Sequence, residues 1–170
     1  DMLFGKRWKR WLLGLNLPKS ECRTWLETYF MKSVNIDGVD GILEVFLAEP
    51  FVKPEREYYL SFRQSRDWDV ITFSTDGWME IEENWETIKS IIIPVTKDLD
   101  TSSLNSLLQG EMKLHNLLSS LFVFYRTHGF TYLEINPIAE DSEWNLKILD
   151  AVAKIDDCEH FLQKNNWSEI

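Results

Sequence analysis

Thr131-Tyr132-Leu133-Glu134-Ile135-Asn136-Pro137-Ile138-Ala139 is followed after a polar turn by Leu146-Lys147-Ile148-Leu149-Asp150-Ala151-Val152. Residues 130–136 and 145–151 read as two strands, and Asp141, Ser142 and Glu143 supply the turn between them. In such a pair, Asn136 and Asp150 meet on one face and converge on a cation. Both offer hard oxygen ligands, and magnesium takes one or two such side chains and completes its octahedron with water and phosphate. An ordinary surface hairpin carries the same residue types, so spacing alone leaves both readings open.

Upstream of this pair, Leu104, Leu107, Leu108, Met112, Leu114, Leu117, Leu118, Leu121, Phe122 and Tyr125 trace one helical face, predicting a single helix over 103–126. Two β-rich runs, 57–64 and 68–74, flank Ser65-Arg66-Asp67 and predict a hairpin. A short helix over 82–89 and a strand over 91–95 follow, and a last short helix falls near 158–163. Nearer the start, 11–17 is an apolar run closed by Pro18 and reads as a buried strand. Ser20 is placed to cap an amphipathic helix through Cys22, Trp25, Leu26, Tyr29 and Phe30. Asn35 to Gly41 is turn chemistry leading into a strand over 42–48, and Glu49-Pro50-Phe51-Val52 breaks the pattern as a hinge between lobes. Strands and helices mix without strict alternation, so the expected class is α+β rather than a doubly wound parallel sheet.

The chain of 170 residues is long enough for one substantial core, and its net charge of −10 disfavours nucleic acid and anionic lipid as partners. Lys6, Arg7, Lys9 and Arg10 nevertheless make a local basic cluster, either an anion site or a solvated terminus. Cys22 and Cys158 lie far apart without metal-ligand spacing, which points to reduced thiols and an intracellular, cytoplasmic location, with an organelle left open. No apolar run has the length of a membrane span. The chain begins with Asp1, as a processed product or a fragment would. Eight tryptophans read as core filling, with contact to a partner surface as the alternative.

The segments TYLEINPIA and LKILDAVAKIDD resemble the ATP-grasp β portion of the family that holds ATP-citrate lyases, citryl-CoA synthetases and succinyl-CoA synthetase β subunits. That resemblance implies an ATP-grasp fold with two lobes around a nucleotide cleft, shortened at its N-terminus. It divides the chain into a remnant of the first lobe, residues 1–48, and a second lobe, residues 49–170. By the same resemblance, Asn136 and Asp150 bind Mg2+ and Glu134 contacts the phosphohistidine loop of a partner domain. Phe46 to Val52 is similar to the family's adenine hinge, with Glu49, Phe51 and Val52 as its contacts. Glu57 falls where a carboxylate accepts both ribose hydroxyls. Lys6 and Arg7 sit where the family has a phosphate-binding loop. Asp76-Gly77 and Met79 to Trp85 look like a segment of the ATP-citrate lyase small subunit, which favours citrate over succinate.

The implied cofactors are ATP and Mg2+, with CoA and citrate reached only through a CoA-binding, phosphohistidine-bearing partner domain or subunit of a larger assembly. None of His115, His128 and His160 carries the motif of the phosphorylated histidine. The family's first lobe begins upstream of Asp1, and Trp8, Trp11 and Trp78 stand where relatives often carry glycine or another residue. These departures support a rival reading, a non-catalytic ATP-grasp domain kept as a structural or assembly subunit. A succinyl-CoA synthetase β relative is a further alternative, differing in substrate.

Overall fold

The computed structural model describes residues 12–36, 38–77, 88–108, 110–164 and 167. The chain divides into two compact units, Asp1–Lys53 and Pro54–Ile170.

In the first unit, α1 (Lys19–Tyr29) precedes an antiparallel hairpin of β1 (Ser33–Ile36) and β2 (Val39–Ile42). The helical spacing of Cys22, Trp25 and Tyr29 is realised, but the N-cap is Pro18 with no side-chain cap bond, not Ser20. The turn is tighter than the composition of 35–41 suggests. Gly38 takes φ +88 and donates its N–H to Asn35 Oδ1 at 3.1 Å, so strand pairing resumes by Val39. Two predicted strands are absent. Residues 12–18 form no strand and leave Leu13 and Leu15 exposed, and no regular structure follows Ile42 through residue 54. Apolar content calls for strands in both places, but hairpin pairing stops at Leu43, whose backbone bonds Met31 and Lys32, and among the described residues no ladder partner continues it.

The second unit is built on a sheet ordered β5-β4-β3-β6-β7, with β8 also on β6. Its strands are β3 (Arg56–Gln64), β4 (Trp68–Ser74), β5 (Lys89–Pro94), β6 (Phe130–Glu140), β7 (Leu146–Ile148) and β8 (Ala151–Ile155). All pairs are antiparallel, and the expected 57–64 and 68–74 hairpin is the β3–β4 pair. Alternation sends Tyr58, Leu60, Phe62, Ile71, Phe73, Leu133, Ile135 and Ile138 into the core, where α2 (Thr101–Leu108) and α3 (Leu114–Thr127) contribute their leucines, Phe122 and Tyr125. Side chains of this kind each stabilise by about 1.5–3 kcal/mol when fully buried, so this core accounts for the unit's cohesion.

The single helix over 103–126 is instead two. Its apolar stripe continues across the break, but Gly110 takes φ +101, a conformation that ends α2 and lets α3 restart at Leu114. Asp100, beyond the expected start, caps α2 by accepting from Ser103 N–H at 2.8 Å. That backbone hydrogen bond is the leading cause holding the Asp100 carboxyl below its ordinary value. The predicted helix over 82–89 lies outside the described residues except at its end, where Lys89 begins β5. The helix expected near 158–163 is a 3-10 turn, Asp157–Glu159. Of the four described tryptophans only Trp167 is buried, while Trp68 and Trp144 are exposed, so core filling fails as their common role. Among the described residues no helix is long and apolar enough to cross a membrane.

Candidate functional site

The pairing of β6 changes partner in the middle of the strand. Ile138 to Glu140 pair with β7, and Phe130 to Ile135 pair with β8. Asn136 and Pro137, joined by a cis peptide bond, occupy the gap, opposite Leu149 and Asp150. Asn136 N–H donates to Asp150 carbonyl oxygen at 3.2 Å, and Leu149 N–H donates to Pro137 carbonyl oxygen at 3.1 Å. The sheet thus sets the Asn136 and Asp150 backbones opposite each other. Asp150 is exposed, and its Oδ1 accepts from Ala151 N–H at 3.0 Å.

This donor set suits magnesium: a neutral amide and a carboxylate, both hard oxygen donors, on facing backbones where β6 changes partner. Among the described residues no group of three or more His, Cys, Asp or Glu gathers at a metal-binding geometry. A pair of protein oxygens that leaves the remaining positions to phosphate and water is the pattern magnesium prefers.

Glu57 lies on the adjoining strand, paired with Ala139 across the β3–β6 ladder. Burial raises its carboxyl above the ordinary value, and among the described residues no donor answers it. Gly77 closes this corner. A Cβ there would lie 2.8 Å from Glu57 Cβ and 3.0 Å from Pro137 Cβ, so the backbone at Gly77 passes directly against both the Glu57 strand and the part of β6 that carries Asn136. Glycine at this position is a close-approach requirement.

Glu134 stands two residues before Asn136, on the sheet face turned away from α2 and α3. The register pairs it with Ser61 of β3 and Val152 of β8. Tyr59 donates its hydroxyl to Glu134 Oε2 at 3.2 Å, and Tyr132 donates a short hydrogen bond to the same oxygen. Burial, reinforced by that bond to Glu134, pushes the Tyr132 hydroxyl far up, and burial also raises Tyr59. Both remain protonated donors at neutral pH. Neither tyrosine was singled out from sequence, although strand alternation puts Tyr59 on the face of Glu57, and Tyr132 on that of Glu134.

Behind the site, Glu140 at the end of β6 is 1% exposed. Tyr58 donates its hydroxyl to Glu140 Oε2 at 2.7 Å, and the Lys113 ammonium pairs with the same oxygen. Arg56 Nη1 bonds Glu111 Oε1 at 2.9 Å, and Lys113 also lies over the exposed Trp144 ring at 4.8 Å. Burial pushes the Glu140 carboxyl up, but the hydrogen bonds from Lys113 and Tyr58 and the charges of Lys113 and Arg56 outweigh it and leave it below its ordinary value. This network ties the α2–α3 connection to the first residues of β3, next to Glu57.

Glu49, Phe51 and Val52 lie in irregular backbone at the end of the first unit, Glu49 and Phe51 exposed and Val52 half-buried. Lys6, Arg7, Trp8, Trp11 and Trp78 fall outside the described residues, as do 79–85.

Comparison with known proteins settles the lineage. The family defined as the ATP-citrate synthase ATP-grasp domain matches residues 1–167. The chain belongs to that family. An ATP-citrate synthase alpha chain of Arabidopsis thaliana is 33% identical over 176 residues, covering 100% of this chain and 41% of the relative. The human ATP-citrate synthase is 28% identical over 178 residues, again covering 100% of this chain but 16% of the relative. The chain therefore corresponds to one part of larger proteins. Among solved structures, the ATP citrate lyase of Methanothrix soehngenii, in complex with citrate and coenzyme A, superposes with a TM-score of 0.84 at 32% identity. It covers 100% of this chain and 40% of that one. A Methanosaeta concilii ATP citrate lyase in complex with (3S)-citryl-CoA gives a TM-score of 0.71 at 31% identity over 89% of this chain and 36% of that one. The α+β architecture is accordingly that of the ATP-grasp region of an ATP citrate lyase.

Proposed function

We propose that this chain is the nucleotide-binding part of an ATP-citrate lyase or citryl-CoA synthetase-like enzyme. It binds Mg-ATP and passes the terminal phosphoryl group to a histidine of a partner domain or subunit, the step that drives citryl-CoA formation. The observation that carries the reading is the pairing of Asn136 with Asp150 where β6 changes partner, beside the close packing of Glu57, Gly77 and Pro137.

In this reading Asn136 and Asp150 hold magnesium, which when bound supplies positive charge to the nucleotide phosphates. Glu57 accepts from the ribose hydroxyls, a pairing that answers a partly desolvated carboxylate with no donor among the described residues. Glu49, Phe51 and Val52 form the adenine hinge, Lys6 and Arg7 neutralise phosphate, and Glu134 receives the histidine loop. The domain's share of catalysis is positioning and charge neutralisation, which is most of what phosphoryl transfer asks of a protein. Citrate is favoured over succinate because the similar proteins are ATP-citrate synthases.

Calorimetric titration of the purified protein with ATP, with and without magnesium, tests this directly. Saturable, magnesium-dependent heat is expected, and undetectable binding at millimolar nucleotide removes the reading. The exposed Trp68 and Trp144 favour a second reading, a non-catalytic ATP-grasp domain kept as an assembly subunit, and that reading expects the absent heat.

A further inference from the structure

We infer that Tyr59 and Tyr132 are positioning residues that lock the Glu134 carboxylate in one rotation, so that it offers Oε1, which accepts from no described residue, to an incoming N–H donor. Resting on the proposed function, this assigns the donor as the imidazole of the partner's phosphorylated histidine loop.

A carboxylate oxygen has two lone pairs. Among the described residues, the hydrogen bonds to Glu134, from the Tyr59 and Tyr132 hydroxyls, fall on Oε2. That oxygen is filled, and Oε1 accepts from no described residue. A third donor that engages this carboxylate therefore binds at Oε1, in a direction fixed by the two phenols.

The arrangement is rigid because it spans two strands. Tyr59 belongs to β3 and is 5% exposed, whereas Tyr132 and Glu134 share β6, and the β3–β6 ladder runs through this region, pairing Ser61 with Glu134 and Arg63 with Tyr132. The Tyr132 ring is held in turn under the Lys154 ammonium of β8, at 5.7 Å. Two hydroxyls aimed at one oxygen from neighbouring strands remove the side-chain freedom that a solvated glutamate would lose only on docking. Acceptor-only chemistry also selects the visitor: an N–H or cationic group is welcomed, and a second carboxylate is not.

The test is a single-turnover measurement of acid-labile phosphohistidine from labelled Mg-ATP, in the assembly that contains the histidine-bearing partner. Tyr132→Phe and Tyr59→Phe each remove one charge-assisted hydrogen bond and are expected to slow phosphorylation roughly ten-fold, with nucleotide affinity unchanged. Glu134→Ala slows it at least as much. The decisive variant is Tyr132→Phe combined with Glu134→Ala, expected to run no slower than Glu134→Ala alone, because the tyrosine acts only through that carboxylate.

Tyrosine variants at the unsubstituted rate overturn the inference. So does a double variant that loses both factors in full, which assigns the tyrosines a general structural role. If the unsubstituted protein forms no phosphohistidine, the function reading itself fails and takes this inference with it.

Discussion

Replacing Gly77 with Ala tests how tightly the candidate site is built. The added Cβ would lie 2.8 Å from Glu57 Cβ and 3.0 Å from both Glu57 carbonyl carbon and Pro137 Cβ. Carbon atoms settle at about 3.5–4.0 Å, so these neighbours must yield by roughly 0.5–1 Å. Neither yields easily: Glu57 is pinned in the β3–β6 ladder, and Pro137 is a ring closed on its own backbone. Overpacking of this kind costs about 1–3 kcal/mol. With a urea dependence of about 2 kcal/mol per molar, the unfolding midpoint falls by roughly 0.5–1.5 M. Urea unfolding followed by circular dichroism measures it. The same change at Gly41, where nothing lies within 4 Å, serves as the control and leaves the midpoint where it was. Magnesium–nucleotide affinity drops in Gly77→Ala as well, because both displaced groups border the proposed pocket. A midpoint within about 0.2 M of the unsubstituted protein refutes the close-approach argument.

Gly110→Ala forces a side chain into φ +101 between the two helices, which costs about 1–2 kcal/mol and appears as a lower urea midpoint without a change in slope. Lys113→Met leaves Glu140, 1% exposed, with its carboxylate short of its cation, and destabilises by about 3 kcal/mol at neutral pH. The pH dependence gives the sign: Glu140 sits below its ordinary value of 4.5, so its stabilisation is present above that pH and is lost as pH falls through the lower, folded-state value. In Lys113→Met, urea midpoints measured between pH 3 and 7 lose that acid-side slope. Glu57→Gln goes the other way. Its raised carboxyl means that ionisation opposes folding as pH rises, so the amide is at least as stable at neutral pH, by at most about 0.5 kcal/mol, while nucleotide affinity falls in calorimetry.

What the sequence disclosed follows the range of the interactions involved. Residues 57–64 and 68–74 were legible because β-rich composition and a short polar turn specify an antiparallel pair locally. The neighbouring positions of Asn136 and Asp150 were legible for the same reason, since both belong to one local excursion of the chain from β6 to β8. The helix break was not, because the leucine stripe reads through Gly110 and a lone glycine within a helical pattern is often tolerated. Nor were the strands over 11–17 and 42–48 excluded by their composition. Strand formation needs a partner ladder, and local hydrophobicity does not provide one. The Tyr58–Glu140–Lys113 cluster and the two tyrosines on Glu134 were invisible for a third reason. Their hydrogen bonds join strands distant in sequence, and only the register of β3 against β6 brings them together.

Diffraction from crystals grown with ADP and manganese in place of magnesium shows whether the junction opposite Asp150 is a divalent-ion site serving a nucleotide. An anomalous peak is expected within coordination distance of Asn136 Oδ1 and an Asp150 carboxylate oxygen, bridging to nucleotide phosphate, and is lost in Asp150→Ala. A bound nucleotide whose manganese lies elsewhere, with Asn136 and Asp150 untouched, contradicts that assignment.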